Sequence, residues 1–242
     1  MATAQDMQIW DPRGAPTQAH REVYEELLDL NDAEIIELGC GAGELTRAIA
    51  SAFPRARITA LEVDALQHAA NLAGPQLPNL TFAEGSAERI PVGDDAFDIV
   101  LAIKSLHHVP VDRLDRALSE IRRVLKPGGL AYIAEPVFGG AFNEIMRVFH
   151  DEEAQRLAAF EAIKKAITRG GMTLVAEKFF FVMQHVADFA DFERRFIQVT
   201  HSDIRLNKAQ REQVEKKLAQ HMIPKGATFK TPMRVDVLQK TG

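Results

Sequence analysis

Residues 34–50 read EIIELGCGAGELTRAIA, and this stretch decides the fold. It opens on an apolar run, Ile35, Ile36 and Leu38. It turns through Gly39, Gly41 and Gly43, then resumes at helical spacing with Leu45, Ala48 and Ile49. A buried strand, a tight glycine-rich turn and a helix N-terminus account for that order. Glycine lets the backbone take positive φ and lets a ligand approach with no Cβ in the way. Free N–H groups at the helix start then face that ligand. The spacing is Gly-x-Gly-x-Gly. The dinucleotide fingerprint is one residue longer, Gly-x-Gly-x-x-Gly, and Glu44 holds the place of its third glycine.

A second signal follows at the right distance. The spacing predicts a strand over 58–63 with Glu62 and Asp64 at its end, Glu62 lying 19 residues after Gly43. An acidic side chain there accepts hydrogen bonds from the two hydroxyls of a ribose, because a carboxylate offers two oxygens at a matching separation. Asp64 reads as the cap of a helix over 65–73. Gly74, Pro75 and Pro78 mark a loop before a short strand over 80–83. FDIVLAI at 97–103 is a fourth buried strand, running into KSLHHVP. A helix over 113–125 carries Leu114, Leu118, Ile121 and Leu125 and stops at the Pro and two glycines of 126–129. LAYIAE at 130–135 is the fifth strand. Strands alternating with helices across short links give a parallel, doubly wound sheet, whose ligand lies beyond the carboxyl ends of the strands.

The flanks are read the same way. Residues 1–20 are polar with Pro12, Gly14 and Pro16, a loose lead-in that holds the single tryptophan, Trp10. Trp10 either packs this arm to the body or closes over a ligand as part of a lid. Ala19, Val23, Leu27 and Leu30 predict a helix over 17–30. Phe142, Ile145, Met146, Phe149, Leu157, Phe160, Ile163 and Ile167 predict one or two helices over 142–169, ended by Gly170 and Gly171. A strand follows over 173–186. Phe189, Phe192, Phe196 and Val199 mark another helix. Asn207 with Gln210 resembles a capping box opening a helix to Met222. MRVDVLQ at 233–239 alternates like a last strand, the seventh.

With 242 residues the chain has room for one large domain or a domain with a cap. Its 46% hydrophobic and 26% charged residues are ordinary for a soluble globular protein. No apolar run reaches bilayer-spanning length, and the N-terminus has no basic region followed by an apolar core. Cys40, the lone cysteine, has no internal partner for a disulfide. A cytoplasmic protein with no membrane association is the expectation. The net charge is −5, yet residues 201–242 hold 9 Lys and Arg against 4 Asp and Glu. A solvated helix face explains that excess, and an acidic substrate is the alternative. Net acidity and the lack of a nucleic-acid motif argue against a nucleic-acid partner.

Glu-x-Gly-x-Gly-x-Gly after a strand, with Glu37 two positions before the first glycine, resembles motif I of the class I S-adenosylmethionine-dependent methyltransferases. The likeness extends in order and spacing over 34–135, through FDIV, LHHV and LKPGG. It implies an α/β fold: a doubly wound, mainly parallel seven-stranded sheet of Rossmann-like type, with a helical cap inserted after the fifth strand. The division is one domain over 1–242, with an arm and helix over 1–30, a cofactor core over 34–135, cap helices and the sixth strand over 136–232, and the final strand over 233–240. In the family the last two strands form a hairpin at the sheet edge. The resemblance assigns Glu37, Gly39, Gly41 and Gly43 to the methionine part of S-adenosyl-L-methionine, with Cys40 in the same cofactor-binding turn. Glu62 with Val63 falls at the ribose, Ser86 and Ala87 at the adenine, and Ala102 at the strand end flanking the donor. S-adenosyl-L-homocysteine would be the product. Family members commonly carry an acid where this chain has Ser86, which leaves a weaker acceptor for the adenine amino group.

A sulfonium methyl needs an in-line nucleophile held close with water excluded, and positioning of that kind supplies roughly 7–11 kcal/mol of a barrier. A base is needed only where the nucleophile must lose a proton. His107, His108 and Glu135 are the candidates; on an extended segment the two histidines point opposite ways, so one at most faces the donor. Lys104 is either a substrate contact or a solvated side chain. His150, His185 and His201 show no metal-ligand spacing, and no metal is assigned. Cys40 packs in the turn as a small residue. The expected function is methyl transfer to an O, N or C atom of a small molecule. No Asn/Asp-Pro-Pro-aromatic segment follows the fourth strand, which counts against amino methylation of DNA bases. The rivals are a non-catalytic cofactor sensor or partner subunit, and a same-fold enzyme that uses the cofactor for another reaction.

Overall fold

The apolar runs pair into one sheet, as a computed structural model that describes residues 3–198 and 204–242 shows. Val199 and His201 lie outside the described residues. In chain order the first half comprises α1 (His20–Leu27), β1 (Glu34–Leu38), α2 (Glu44–Ala52), β2 (Arg57–Glu62), α3 (Ala65–Ala73), β3 (Leu80–Glu84), β4 (Phe97–Ile103), α4 (Leu114–Val124) and β5 (Leu125–Pro136). The second half comprises α5 (Gly140–Met146), α6 (Glu153–Arg169), β6 (Met172–Val186), α7 (Phe189–Phe196), α8 (Lys208–Ala219) and β7 (Ala227–Lys240). The seven strands lie in the order β3-β2-β1-β4-β5-β7-β6. The first five are parallel; β7 runs antiparallel to both neighbours, so β6 and β7 form a hairpin at the sheet edge.

Strand alternation divides the core between two faces. Ile36, Leu38, Val100, Ala102, Ala131 and Ile133 meet Leu118 and Ile121 of α4 and Phe160 and Ile163 of α6. Their neighbours Ile35, Ile99, Leu101, Tyr132 and Ala134 meet Val23 and Tyr24 of α1 and Ile49 of α2. Strands buried on both faces carry the unbroken apolar runs of the sequence. Ile145, Phe192, Val214, Leu218 and Phe229 form a third, smaller cluster that joins α5, α7 and α8. No helix among the described residues is long and apolar enough to cross a membrane.

Three expectations are corrected, and one open alternative is decided. The helix over 17–30 is shorter, because Thr17 bridges to Phe181 and the Gln18 N–H donates to the Phe181 carbonyl; Glu22 then caps the start at the Ala19 N–H. Residues 126–129 are not a helix stop outside the strand but its irregular start: pairing jumps from Phe97–Leu125 to Ile99–Leu130. Pro127 has no N–H to donate, and Gly128 takes φ +79°, which lets the extra residues fold out of the ladder. The cap is not one insertion after β5. α6 belongs to the sheet layers, while α5 joins α7 and α8, which lie between β6 and β7. Trp10 settles as an arm contact: its ring stands edge-on to Phe179 and Phe181 of β6, at centroid distances of 5.4 and 5.3 Å.

Candidate functional site

Two cavities open at the carboxyl ends of β1, β2, β4 and β5. One, of about 720 Å³, is lined by Gly41, Glu62, Val63, Ser86, Ala87 and Ala102 among others. The second, of about 490 Å³, is lined by Glu37, Cys40, Ile103, His107, His150 and Glu152 among others. Gly39, Gly41, Ala42, Lys104 and His108 belong to both walls, so the two are lobes of one cleft that meet over the glycine turn. Glu135 and Trp10 line neither lobe.

The three turn glycines differ in what they protect. A Cβ on Gly39 would sit 2.9 Å from the Ser105 Cβ, and one on Gly43 would sit 2.8 Å from the Phe82 ring. Those two make room for protein. Gly41, at φ +53°, would point a Cβ at nothing within 4 Å, although it lines both lobes. The space there is open to the cleft.

Glu62 is the group that ties the turn to the second strand. Its Oε2 accepts from the Gly41 N–H at 2.7 Å, and its Oε1 accepts from the Val63 and Asp64 N–H groups, both at 2.9 Å. A carboxylate has about four lone-pair sites, so three backbone donors leave one, on Oε2. Glu62 therefore has room for one more direct bond, beside Gly41, and not for the two that the sequence reading expects of it. Val63 is 68% exposed, and it lines the larger lobe next to this carboxylate, an apolar wall for a ring. Ser86 and Ala87 lie across the lobe with Glu88, an acid the sequence reading passed over because it stands two places later than the usual one. Asp64 caps α3 as expected, through the Leu66 and Gln67 N–H groups.

Glu37 is buried and accepts from the Thr46 hydroxyl; burial pushes its carboxyl up to about 7. Cys40 is a buried thiol, pushed up to about 12 by burial and by Glu37 and Glu62 nearby, and so carries no nucleophile at neutral pH. Lys104 adopts φ +54°, uncommon for a side-chain-bearing residue, and its N–H donates to the Ala134 carbonyl at 2.7 Å. Its ammonium is open to the cleft, but the cleft walls shield it from bulk water and lower its pKa below the ordinary lysine value.

The two histidines do not sit on an extended segment. Leu106–His108 is a 3₁₀ turn, and it brings both rings to one side, with centroids 4.1 Å apart. His107 is buried, and its Nδ1 bonds the Glu135 carboxylate, whose other oxygen accepts from the Leu106 N–H at 2.8 Å. Glu135 thus ties the ring and the turn together. The Nε2 of His107 faces Glu152, 3.6 Å away. Glu152 precedes α6 and is buried; His150 and Arg156 bond its two oxygens at 2.8 and 2.6 Å, and these cationic partners hold its carboxyl well below the usual range. Sequence reading missed Glu152 and Arg156, which lie far from the histidine turn along the chain.

Residues 35–129 match a family model described as a methyltransferase domain. A phthiotriol/phenolphthiotriol dimycocerosates methyltransferase of Mycobacterium leprae is 29% identical over 76% of this chain and 68% of its own length. A demethylmenaquinone methyltransferase of Chlorobaculum parvum is 32% identical over 51% of this chain and 47% of its own. The structure of a SAM-dependent methyltransferase from Methanosarcina mazei superposes with a TM-score of 0.57 at 14% identity, over 93% of this chain and 99% of that one, a likeness of fold. With the glycine turn, the acidic end of β2 and the seven-stranded sheet, these make the chain similar to the class I S-adenosylmethionine-dependent methyltransferases, the family match spanning residues 35–129.

Proposed function

We propose that this protein transfers a methyl group from S-adenosylmethionine to a small-molecule acceptor bound in the histidine-lined lobe. The observation that carries it is the ligand-sized space above Gly41 beside the Glu62 carboxylate. The nucleoside lies in the larger lobe, with its ribose at Glu62, its adenine between Val63 and the Ser86–Ala87 segment, and Glu88 near its amino group. The methionine part lies over Gly39 and Gly41 toward Glu37. Bound there, the cofactor supplies an electrophilic methyl on a sulfonium sulfur. The smaller lobe holds the acceptor. Leu45, Met146 and Phe196 give it an apolar side, and His107, His108 and Glu152 a polar end. The related proteins are named for phthiotriol and phenolphthiotriol dimycocerosates and for demethylmenaquinone, which favours an acceptor with an apolar body and a hydroxyl or ring carbon as the methylated atom. Such a hydroxyl must shed its proton as the methyl arrives, and that activation belongs to the His107 end.

The test is a calorimetric titration with S-adenosylmethionine, S-adenosylhomocysteine and NAD⁺. Micromolar binding of the first two and none of the third is expected; no binding of either would sink the reading. A non-catalytic sensor would bind them yet methylate nothing in a panel of phenols, quinols and amines.

Two further results follow from this placement. Glu62→Ala is expected to weaken cofactor binding at least about tenfold, the loss of one charged hydrogen bond at roughly 1.5–3 kcal/mol. Unchanged affinity in a folded variant moves the ribose elsewhere. Glu37 couples binding to pH. Its carboxyl is raised from 4.5 to about 7 in the free protein, so it contributes stability that is full below 4.5 and is lost as pH rises through 7. The ammonium of the methionine part favours the ionised form, so binding expels this proton. Affinity should rise with pH between about 5 and 7, by up to about tenfold per unit, with proton release seen as a buffer-dependent heat. Glu37→Gln should flatten the profile; an unchanged slope in that variant refutes the coupling.

A further inference from the structure

We infer that His107, His108 and Glu152 form a binding site for one divalent transition-metal ion at the acceptor end of the cleft. One ligand atom from each lies within 4.8 Å of the other two. The His107 Nε2 is 3.6 Å and the His108 Nδ1 3.9 Å from the same oxygen, Oε1 of Glu152. Both gaps are too long for hydrogen bonds. They are close to the separation of about 3.3 Å that ligand atoms take around a tetrahedral ion at bond lengths of about 2.0–2.2 Å. A contraction of a few tenths of an ångström closes them on an ion.

The surroundings fit the same purpose. His107 Nδ1 bonds Glu135, which fixes the tautomer and leaves the Nε2 lone pair aimed into the lobe. A carboxylate behind a histidine is the usual outer support of a metal ligand. Arg156 takes the second oxygen of Glu152 at 2.6 Å, which orients Oε1 toward the histidines. His150 now holds Oε1 at 2.8 Å and gives up that bond when the ion enters. Two imidazoles and one carboxylate suit zinc, cobalt, nickel or ferrous iron and suit magnesium poorly.

The ion would also define the acceptor. This part rests on the reading of the cleft as a methyl-transfer site. Three protein ligands leave coordination positions open toward the lobe. Arg156 already balances Glu152, so a loaded centre carries excess positive charge that an anionic oxygen neutralises. A phenol, enol or quinol fits: its O–H proton leaves to water as the oxygen binds the ion, which lowers its pKa. The oxygen then forms the new O–C bond while the S–C bond breaks and its electron pair returns to sulfur.

The test uses the full chain freed of metal with a chelator and titrated with Zn²⁺ by calorimetry, and with Co²⁺ by visible absorption. One Zn²⁺ per chain at micromolar affinity or tighter is expected, with Co²⁺ bands that Zn²⁺ displaces. His108→Ala, at a half-exposed side chain whose loss leaves the core intact, should weaken binding at least about tenfold, and Glu152→Gln likewise. Absence of saturable binding, or binding unchanged in both variants, overturns the site. S-adenosylmethionine titrated into the same preparation separates the two readings. Cofactor binding without metal binding refutes the ion alone. Metal binding without cofactor binding upholds the ion and refutes the placement of the nucleoside.

Discussion

Gly41→Val is expected to abolish S-adenosylmethionine binding in a protein that stays folded. The side chain enters the cleft because a Cβ at this position meets no protein atom within 4 Å, while the residue lines both lobes. The ligand must pass over this point to reach Glu62 on one side and Glu37 on the other. Folding survives because the cost is local. An L-residue in the left-handed region loses roughly 1–2 kcal/mol, somewhat more for a β-branched one, against a typical stability of about 5–15 kcal/mol. The N–H that donates to Glu62 is kept. The control is Gly43→Val at the other end of the turn. Its side chain would strike the Phe82 ring at 2.8 Å and the Arg47 guanidinium at 2.9 Å, so it should lower the melting temperature far more than Gly41→Val does. Thermal melts and calorimetric titrations of the two variants separate a ligand-facing glycine from a packing glycine. Retained affinity in Gly41→Val would mean that the turn does not approach the cofactor.

The glycine turn and the acid at the end of β2 were legible in the sequence because their signals are local. The continuous apolar runs in EIIEL and FDIVLAI mark strands buried on two faces, and the two strands pair in register. The glycine spacing and the acid at the end of β2 depend only on one strand–turn–helix–strand unit, and Glu62 does reach back to Gly41 across 21 residues. The acceptor half was not legible. His107 meets Glu152 because α6 packs beside α4 on the sheet, a long-range choice that no short spacing encodes. The histidine pair was misjudged for a related reason: KSLHHVP has no pattern that separates an extended segment from a 3₁₀ turn. The turn is set by the Leu106 N–H and His107 ring both bonding Glu135, a residue on the next strand. Helix α6 carries apolar residues at the same spacing as a cap helix, and periodicity does not say which surface an apolar stripe covers.

The largest kinetic effect is expected at His107. His107→Ala should lower kcat by about 10²–10⁴-fold and leave the affinity for S-adenosylmethionine within about twofold. The ring stands at the acceptor end, lines only the smaller lobe and touches none of the groups assigned to the nucleoside, so the cofactor does not feel its loss. In the proposed reading it acts on the acceptor oxygen, whether it takes the proton itself or holds an ion that makes the proton acidic. Both uses operate as the methyl moves, so kcat and kcat/KM for the acceptor should fall together. The change also leaves a buried carboxyl short of a partner: Glu135 loses its Nδ1 bond and keeps the bond from the Leu106 N–H. Some loss of melting temperature is therefore expected, and activity must be normalised to the folded fraction. His107→Asn, which returns a donor toward Glu135 but no imidazole nitrogen, should recover most of that stability and little of the rate. A variant that regains stability and rate together would reduce His107 to a packing role. The seat of activation would then shift to His108, which shares the same turn and the wall common to both lobes.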